Sequence, residues 1–218
     1  EITALDMAIG MLQVARGTSS WWKKLFAAQR ESYLCADVEA LPIASDSVEM
    51  IWSNLALQWC NDLPATFVEL QRVLKVEGLL MFSSFGVETL KELRIAFADV
   101  DGYSHVNRFT DMHDIGDMLV AAGFADPVME MERITLTYND VRAGMQDLKS
   151  IGANNATAGR AAGMMGKAAW QRVEQNYEKL RRDGKLPATF EIIYGHAWKP
   201  APKVAQDGRA IIKTDFKL

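Results

Sequence analysis

Cysteine is scarce in this chain: Cys35 and Cys60 are the two among 218 residues. That scarcity excludes a disulfide framework, and their spacing makes no zinc site. Both read as small buried hydrophobes in a reducing compartment. Long apolar runs are missing too. None reaches the roughly 18–20 residues of a membrane span, and no basic-then-apolar leader opens the chain. Positive charge is short as well, with 24 Lys and Arg against 28 Asp and Glu. The net charge of -4 argues against a nucleic-acid surface, which needs clustered cations. Internal repeats and low-complexity tracts are absent. What is left, 49% hydrophobic and 24% charged, suits a soluble cytoplasmic protein with room for one α/β domain.

The first half alternates strand-like and helix-like segments. Ile2–Leu5 reads as a strand directly after the first residue, so a sheet lacking its first strand is expected. Ala8–Arg16 reads as a helix, and Gly17 to Ser20 breaks the pattern. Trp21–Arg30 is a basic, aromatic surface helix candidate. Tyr33–Ala36, Val48–Trp52 and Leu79–Ser83 are short apolar strands, with Leu63–Leu74 helical behind an Asp62 cap. Such alternation implies a parallel sheet with helices on both faces. Further along, Thr89–Ala98 and Asp114–Ala122 read as helices, the second closed by Gly123. Val128–Tyr138 and Phe190–Trp198 read as an antiparallel pair of strands. Between them lie helices near Asn139–Ile151 and Lys167–Arg182, joined by the Gly- and Ala-rich loop Gly152–Gly166. The chain therefore reads as one domain over residues 1–200, with a helical insert at about 139–185 and a loose tail over 201–218.

In such sheets ligands sit at the carboxyl ends of the strands. Asp6 follows the first strand, where a carboxylate can accept both hydroxyls of a ribose, or can cap the next helix. Asp37 follows Tyr33–Ala36 and can accept from an adenine amino group while the Val38 N–H donates to a ring nitrogen. Two acidic strand ends side by side favour a nucleoside. Ser53 to Trp59 follows the next strand and places small and polar groups beside it, or forms a capping turn with a buried Trp. His113 between Asp111 and Asp114 reads as a helix-start cap.

The stretches Ala4–Ala8, Ala36–Pro42, Ser53–Trp59 and Leu74–Leu80 resemble the post-I to post-III motifs of class I methyltransferases. Gly86–Arg94, His105–Asp117 and Asp147–Asn155 are similar to the malonyl-acyl-carrier-protein O-methyltransferases of early biotin synthesis, and the likeness runs from Ile2 to Pro200. The glycine-rich cofactor loop of that family does not occur in the chain. The resemblance implies a Rossmann-like class I methyltransferase sheet, mostly parallel with one antiparallel strand, a helical lid and S-adenosylmethionine as cofactor. It also implies that Asp6 holds the ribose, Met7 packs on the adenine, Asp37 and Val38 read the adenine edge, and Asn54 lies beside the methionine portion. The substrate it implies is a malonyl thioester on acyl carrier protein, with neither nucleic acid nor membrane as partner. Methylating a carboxylate needs no general base, so no catalytic side chain and no metal are expected. Arg108 is the candidate grip on the substrate carboxylate, oriented by His105 and Asn107, unless it is spent on an ion pair with Asp101, Asp111 or Asp114. Lys149, Arg160 and Lys167 are candidates for meeting the carrier protein. Two other readings stay open. Phe85–Leu90 and Ala188–Tyr194 resemble methyltransferase-like assembly factors of respiratory complex I, which act on a protein partner. A non-catalytic Rossmann-like binding module is the other.

Overall fold

In a computed structural model of the chain, residues 1–18, 31–150 and 165–202 are described. The Trp21–Arg30 segment, Arg160, nearly all of the Gly152–Gly166 loop and the tail beyond residue 202 lie outside them. The strands are β1 (Ile2–Asp6), β2 (Glu31–Cys35), β3 (Val48–Asn54), β4 (Leu74–Phe85), β5 (Ala125–Tyr138) and β6 (Leu186–Trp198). The helices are α1 (Ile9–Thr18), α2 (Leu63–Val73), α3 (Lys91–Phe97), α4 (Met112–Ala121), α5 (Val141–Ser150) and α6 (Lys167–Glu178), with a 3-10 turn at Leu57–Trp59.

The strands form two sheets. β1 and β2 pair in parallel, and β3-β4-β6-β5 form the larger sheet. β3 and β4 are parallel, while β6 runs antiparallel to both its neighbours, β4 and β5. The expected pairing of the two late strands is present from Ala125↔Trp198 to Tyr138↔Leu186. β4 starts five residues earlier than the Leu79 read from the sequence, because Leu74 already pairs with Val48 before the register shifts to Met50↔Leu79. The extra residues fold out as an irregularity in which Glu77 has a positive φ of 65°. Gly78 closes it, since a Cβ there would stand 2.7 Å from the Lys75 carbonyl oxygen.

Local signals explain most boundaries. Asp62 caps α2 by accepting from the Ala65 N–H at 2.9 Å. Asp111 caps α4 by accepting from the His113 N–H. α4 ends in a Schellman turn: Gly123 has φ 89°, its N–H donates to Val120, and the Phe124 N–H reaches back to Leu119.

One core lies between the larger sheet and the helices α2 and α4, built from Phe67, Leu70, Leu80, Phe82, Ile115, Leu119 and Ile193 among others. A second, smaller core joins α3, α5, α6 and the start of β6 through Leu93, Phe97, Val106, Val141, Val173, Tyr177 and Leu186. Helices on both faces of the sheet were expected. Among the described residues α2 and α4 cover one face, and α3, α5 and α6 meet the other only at the start of β6, through Leu186, leaving Met50, Trp52, Met81, Val128, Tyr194 and Trp198 exposed. The cysteines also differ from expectation. Cys35 is exposed as the last residue of β2, and Cys60, just after the 3-10 turn, is half-buried against the main core.

The loop after β2 is tied to α2 by one charged pair. Glu69 accepts from the Leu41 N–H at 2.7 Å and from Arg72, whose guanidinium also donates to the Leu41 carbonyl and to Ser45. The bond from Arg72 holds the Glu69 carboxyl below its ordinary value of 4.5. A lowered folded-state value means the carboxylate stabilises the fold above about pH 4.5, and that this contribution fades as pH falls through the folded value. The midpoint of urea unfolding should therefore drop on acidification below pH 4.5, and Glu69→Gln should flatten that drop. Equal slopes for both proteins would show that Glu69 carries none of the acid sensitivity.

Candidate functional site

Parallel pairing brings the ends of β1 and β2 level, with Asp6 directly opposite Cys35. Asp6 accepts from the Ala8 N–H through Oδ1 at 2.7 Å, and Asp37 accepts from the Glu39 N–H through Oδ1 at 2.9 Å. Each carboxylate thus closes its own turn with one oxygen. Among the described residues the second oxygen of each has no partner. A turn-closing role and a ligand role are therefore compatible at both aspartates. Met7 is 73% exposed beside Asp6. Val38 is half-buried against the main core, which fixes its backbone while its N–H has no partner among the described residues. Two acceptors, one donor and an apolar side chain at adjoining strand ends suit the hydroxyls, amino group, ring nitrogen and flat face of a nucleoside.

The end of β3 is more tightly built. Leu55 follows Asn54 with a φ of 49°, so the chain turns sharply off the strand. Its N–H donates to both the carbonyl oxygen and the Oγ of Ser83, each at 3.1 Å. The Ser83 hydroxyl donates in turn to Asn54 Oδ1 at 2.6 Å. Gln58 closes the turn by donating from Nε2 to the Leu55 carbonyl at 2.6 Å, and its Oε1 is buried without a partner.

Beyond the end of β4 three aromatic rings meet. Phe85 stands 5.5 Å from Phe109, edge to face, and 6.0 Å from Phe190. Phe109 fixes the loop that carries the expected substrate residues. In that loop Val106 is buried in the smaller core. The His105 ring stacks 3.9 Å from Phe97 and bonds Asp101 through Nε2 at 2.8 Å. The hydrogen bond with His105 holds the Asp101 carboxyl below its usual range. Asn107 is half-buried. Arg108 is exposed, and no carboxylate among the described residues pairs with it. Two of the three aspartates that could have claimed it are engaged: Asp101 with His105, Asp111 with His113. His113 sits in the capping cluster the sequence suggested, where the bond from its backbone N–H, then that from its ring, lowers the Asp111 carboxyl.

Phe190 also lines an apolar cleft of about 340 Å³, counted to its open mouth, with Leu90, Tyr138, Met145 and Leu148. In it the Tyr177 phenol donates to the Pro187 carbonyl at 2.8 Å, and burial pushes that phenol well above its usual range. The structure thus brings Asp6, Met7, Asp37 and Val38 together at one pair of strand ends, puts Asn54 at the next, and hangs Arg108 from a loop anchored at β4. Sequence reading missed Ser83 and the Phe85, Phe109, Phe190 cluster. The visible signal for Ser83 was a Ser-Ser pair closing an apolar strand.

The first part of the chain, residues 1–82, matches the family model described as a methyltransferase domain. The malonyl-[acyl-carrier protein] O-methyltransferase of Gallionella capsiferriformans is 70% identical over 218 residues, which is all of this chain and 75% of that protein. The chain belongs to the malonyl-[acyl-carrier protein] O-methyltransferase family. Another member, from Laribacter hongkongensis, is 55% identical over 98% of the chain and 73% of its own length. A solved structure of a putative methyltransferase from Bacillus halodurans superposes with a TM-score of 0.62 at 18% identity, covering 92% of this chain and 84% of that one. That likeness places this chain on the class I methyltransferase fold, with mixed sheet and helical insertions as described above. Membership sets aside the assembly-factor and non-catalytic readings. Among the described residues no helix is long and apolar enough to cross a membrane, and no group of acidic, His or Cys side chains could hold a metal ion.

Proposed function

We propose that this chain transfers a methyl group from S-adenosylmethionine to the free carboxylate of a malonyl thioester carried on acyl carrier protein. The observation that carries this reading is identity of 70% along the whole chain to a malonyl-[acyl-carrier protein] O-methyltransferase. The sulfonium of the cofactor supplies a methyl group electrophilic enough for a carboxylate to attack without a general base. The residues are left with binding, alignment and exclusion of water. In this proposal Asp6 accepts from the ribose hydroxyls, Met7 packs on the adenine, Asp37 and the Val38 N–H meet the adenine edge, and Asn54 lies beside the methionine portion. Arg108 grips the malonyl carboxylate by two parallel hydrogen bonds. His105 and Asn107 hold the loop that presents it. The Phe85, Phe109, Phe190 cluster and the cleft beside it give the thioester arm a dry wall.

The domain reading is part of the proposal: residues 1–200 as one unit, the α5–α6 region as its helical lid, and 201–218 as a tail. So are a cytoplasmic location and contact of Lys149 and Lys167 with the acidic carrier protein. The direct test is cofactor binding by calorimetry followed by methyl transfer to malonyl thioester and to its methyl ester. Turnover of the first and none of the second is the expected result, because the ester has no free carboxylate. Cofactor binding with no turnover of either would remove the substrate assignment.

A further inference from the structure

The polarity of the Asn54 amide is set by its neighbours. Ser83 is buried, and its Oγ lies between two groups with fixed roles. The Leu55 N–H points at it and can only donate, so the serine oxygen accepts there at 3.1 Å. Its single proton then goes to Asn54 Oδ1 at 2.6 Å. Were the amide turned over, its NH2 would face the hydroxyl, and a buried serine proton would lose its acceptor. A lost bond of this kind costs about 1–3 kcal/mol, enough to hold the amide one way round. The outcome is an exposed Asn54 whose Nδ2 has no partner among the described residues and which offers two N–H donors at the end of β3.

A donor-only group of this kind suits a carboxylate. Two carboxylates take part in the reaction proposed above, on which this inference rests: that of the malonyl substrate and that of the cofactor's amino-acid end. The malonyl group carries an uncompensated charge, which calls for a cation such as Arg108. The amino-acid end is a zwitterion with its own ammonium beside it, so a neutral donor suffices. We infer that Ser83 is a positioning residue that locks Asn54 with Nδ2 outward, so that Asn54 donates to the carboxylate of the methionyl portion of S-adenosylmethionine. Gln58 belongs to the same turn but keeps its free oxygen sealed from solvent, and so contributes by holding Leu55 rather than by meeting ligand.

The isosteric change Asn54→Asp keeps an acceptor for Ser83 and replaces the outward NH2 with a negative oxygen. It should weaken S-adenosylmethionine binding by at least about tenfold in calorimetry, since a hydrogen bond to a charged group is lost and a repulsion gained. Affinity for the decarboxylated cofactor analogue, which keeps the ammonium and the sulfonium, should not fall. Ser83→Ala should weaken S-adenosylmethionine about three- to tenfold, Ser83→Thr should restore it, and Ser83→Ala should add nothing in an Asn54→Ala background. Thermal melts of each variant separate these effects from loss of fold. Unchanged S-adenosylmethionine affinity in Asn54→Asp, with a raised KM for malonyl thioester, would overturn the inference and give the amide to the substrate. Equal losses for both cofactor forms would overturn it in favour of a purely structural role. A wild-type protein that binds neither form would instead remove the methyltransferase reading itself.

Discussion

Arg108→Ala should lower kcat/KM for malonyl thioester by about 100-fold while leaving S-adenosylmethionine affinity unchanged, because two charge-assisted hydrogen bonds to the reacting carboxylate are lost. The size of the effect follows from how the loop is held. On one side of Arg108, His105 is pinned by Phe97 and Asp101 and Val106 is buried. On the other, Phe109 is packed on Phe85. The arginine is thus an exposed side chain on a fixed support, and no carboxylate among the described residues competes for it. Lysine at the same position restores the charge but not the planar fork, so Arg108→Lys should recover part of the loss. Because no hydrogen bond or ion pair among the described residues rests on this guanidinium, the melting temperature should hardly move. Steady-state kinetics that show no change in kcat/KM for the alanine variant would place the carboxylate grip elsewhere.

Phe67→Ala should be the most damaging single change to the fold among those considered, costing about 3–5 kcal/mol in urea unfolding. Phe67 is fully buried on α2, and its ring stands 5.9 Å from that of Phe82 on β4. Phe82 in turn lies across Gly195 on β6, so closely that a Cβ at Gly195 would run into its ring and into Met129 Sδ. The Phe82 ring is therefore wedged between a helix and a bare backbone. This geometry gives the experiment a second readout. Gly195→Ala alone should cost about 1–3 kcal/mol by overpacking, yet less in the Phe67→Ala background, where Phe82 can swing into the void. Strictly additive losses would mean that the ring does not move and that the wedge is not the source of either cost.

Much of the frame was legible because its signals are local. Asp62 and Asp111 announce helix starts by the side chains they carry, and Gly123 announces an end by the one it lacks. The pairing of β5 with β6 followed from two long apolar runs flanking a helical insert. Asp6, Asp37 and Asn54 were proposed by one topological rule, that loops after parallel strands share an edge. What escaped depends on contacts across long stretches of chain. Ser83 acquires meaning only when register sets it opposite Asn54. Phe85, Phe109 and Phe190 are ordinary core candidates until three separate segments meet. The early start of β4 was hidden by Glu77 and Gly78, which read as a break but fold as an outward excursion within a continuing strand.

The position of β6 has a consequence for how the chain is made. β6 lies between β4 and β5 in space yet follows both in sequence. Until Leu186–Trp198 has left the ribosome, the 14 residues of β5 have no neighbour in the sheet, and β4 has only β3. Synthesis at about 5–20 residues per second leaves both edges open for a few seconds, long enough for strand-to-strand association with other nascent chains. β6 is thus the strand that closes the larger sheet, and changes that slow its docking should show first as lost yield during expression rather than as lower stability of the finished protein.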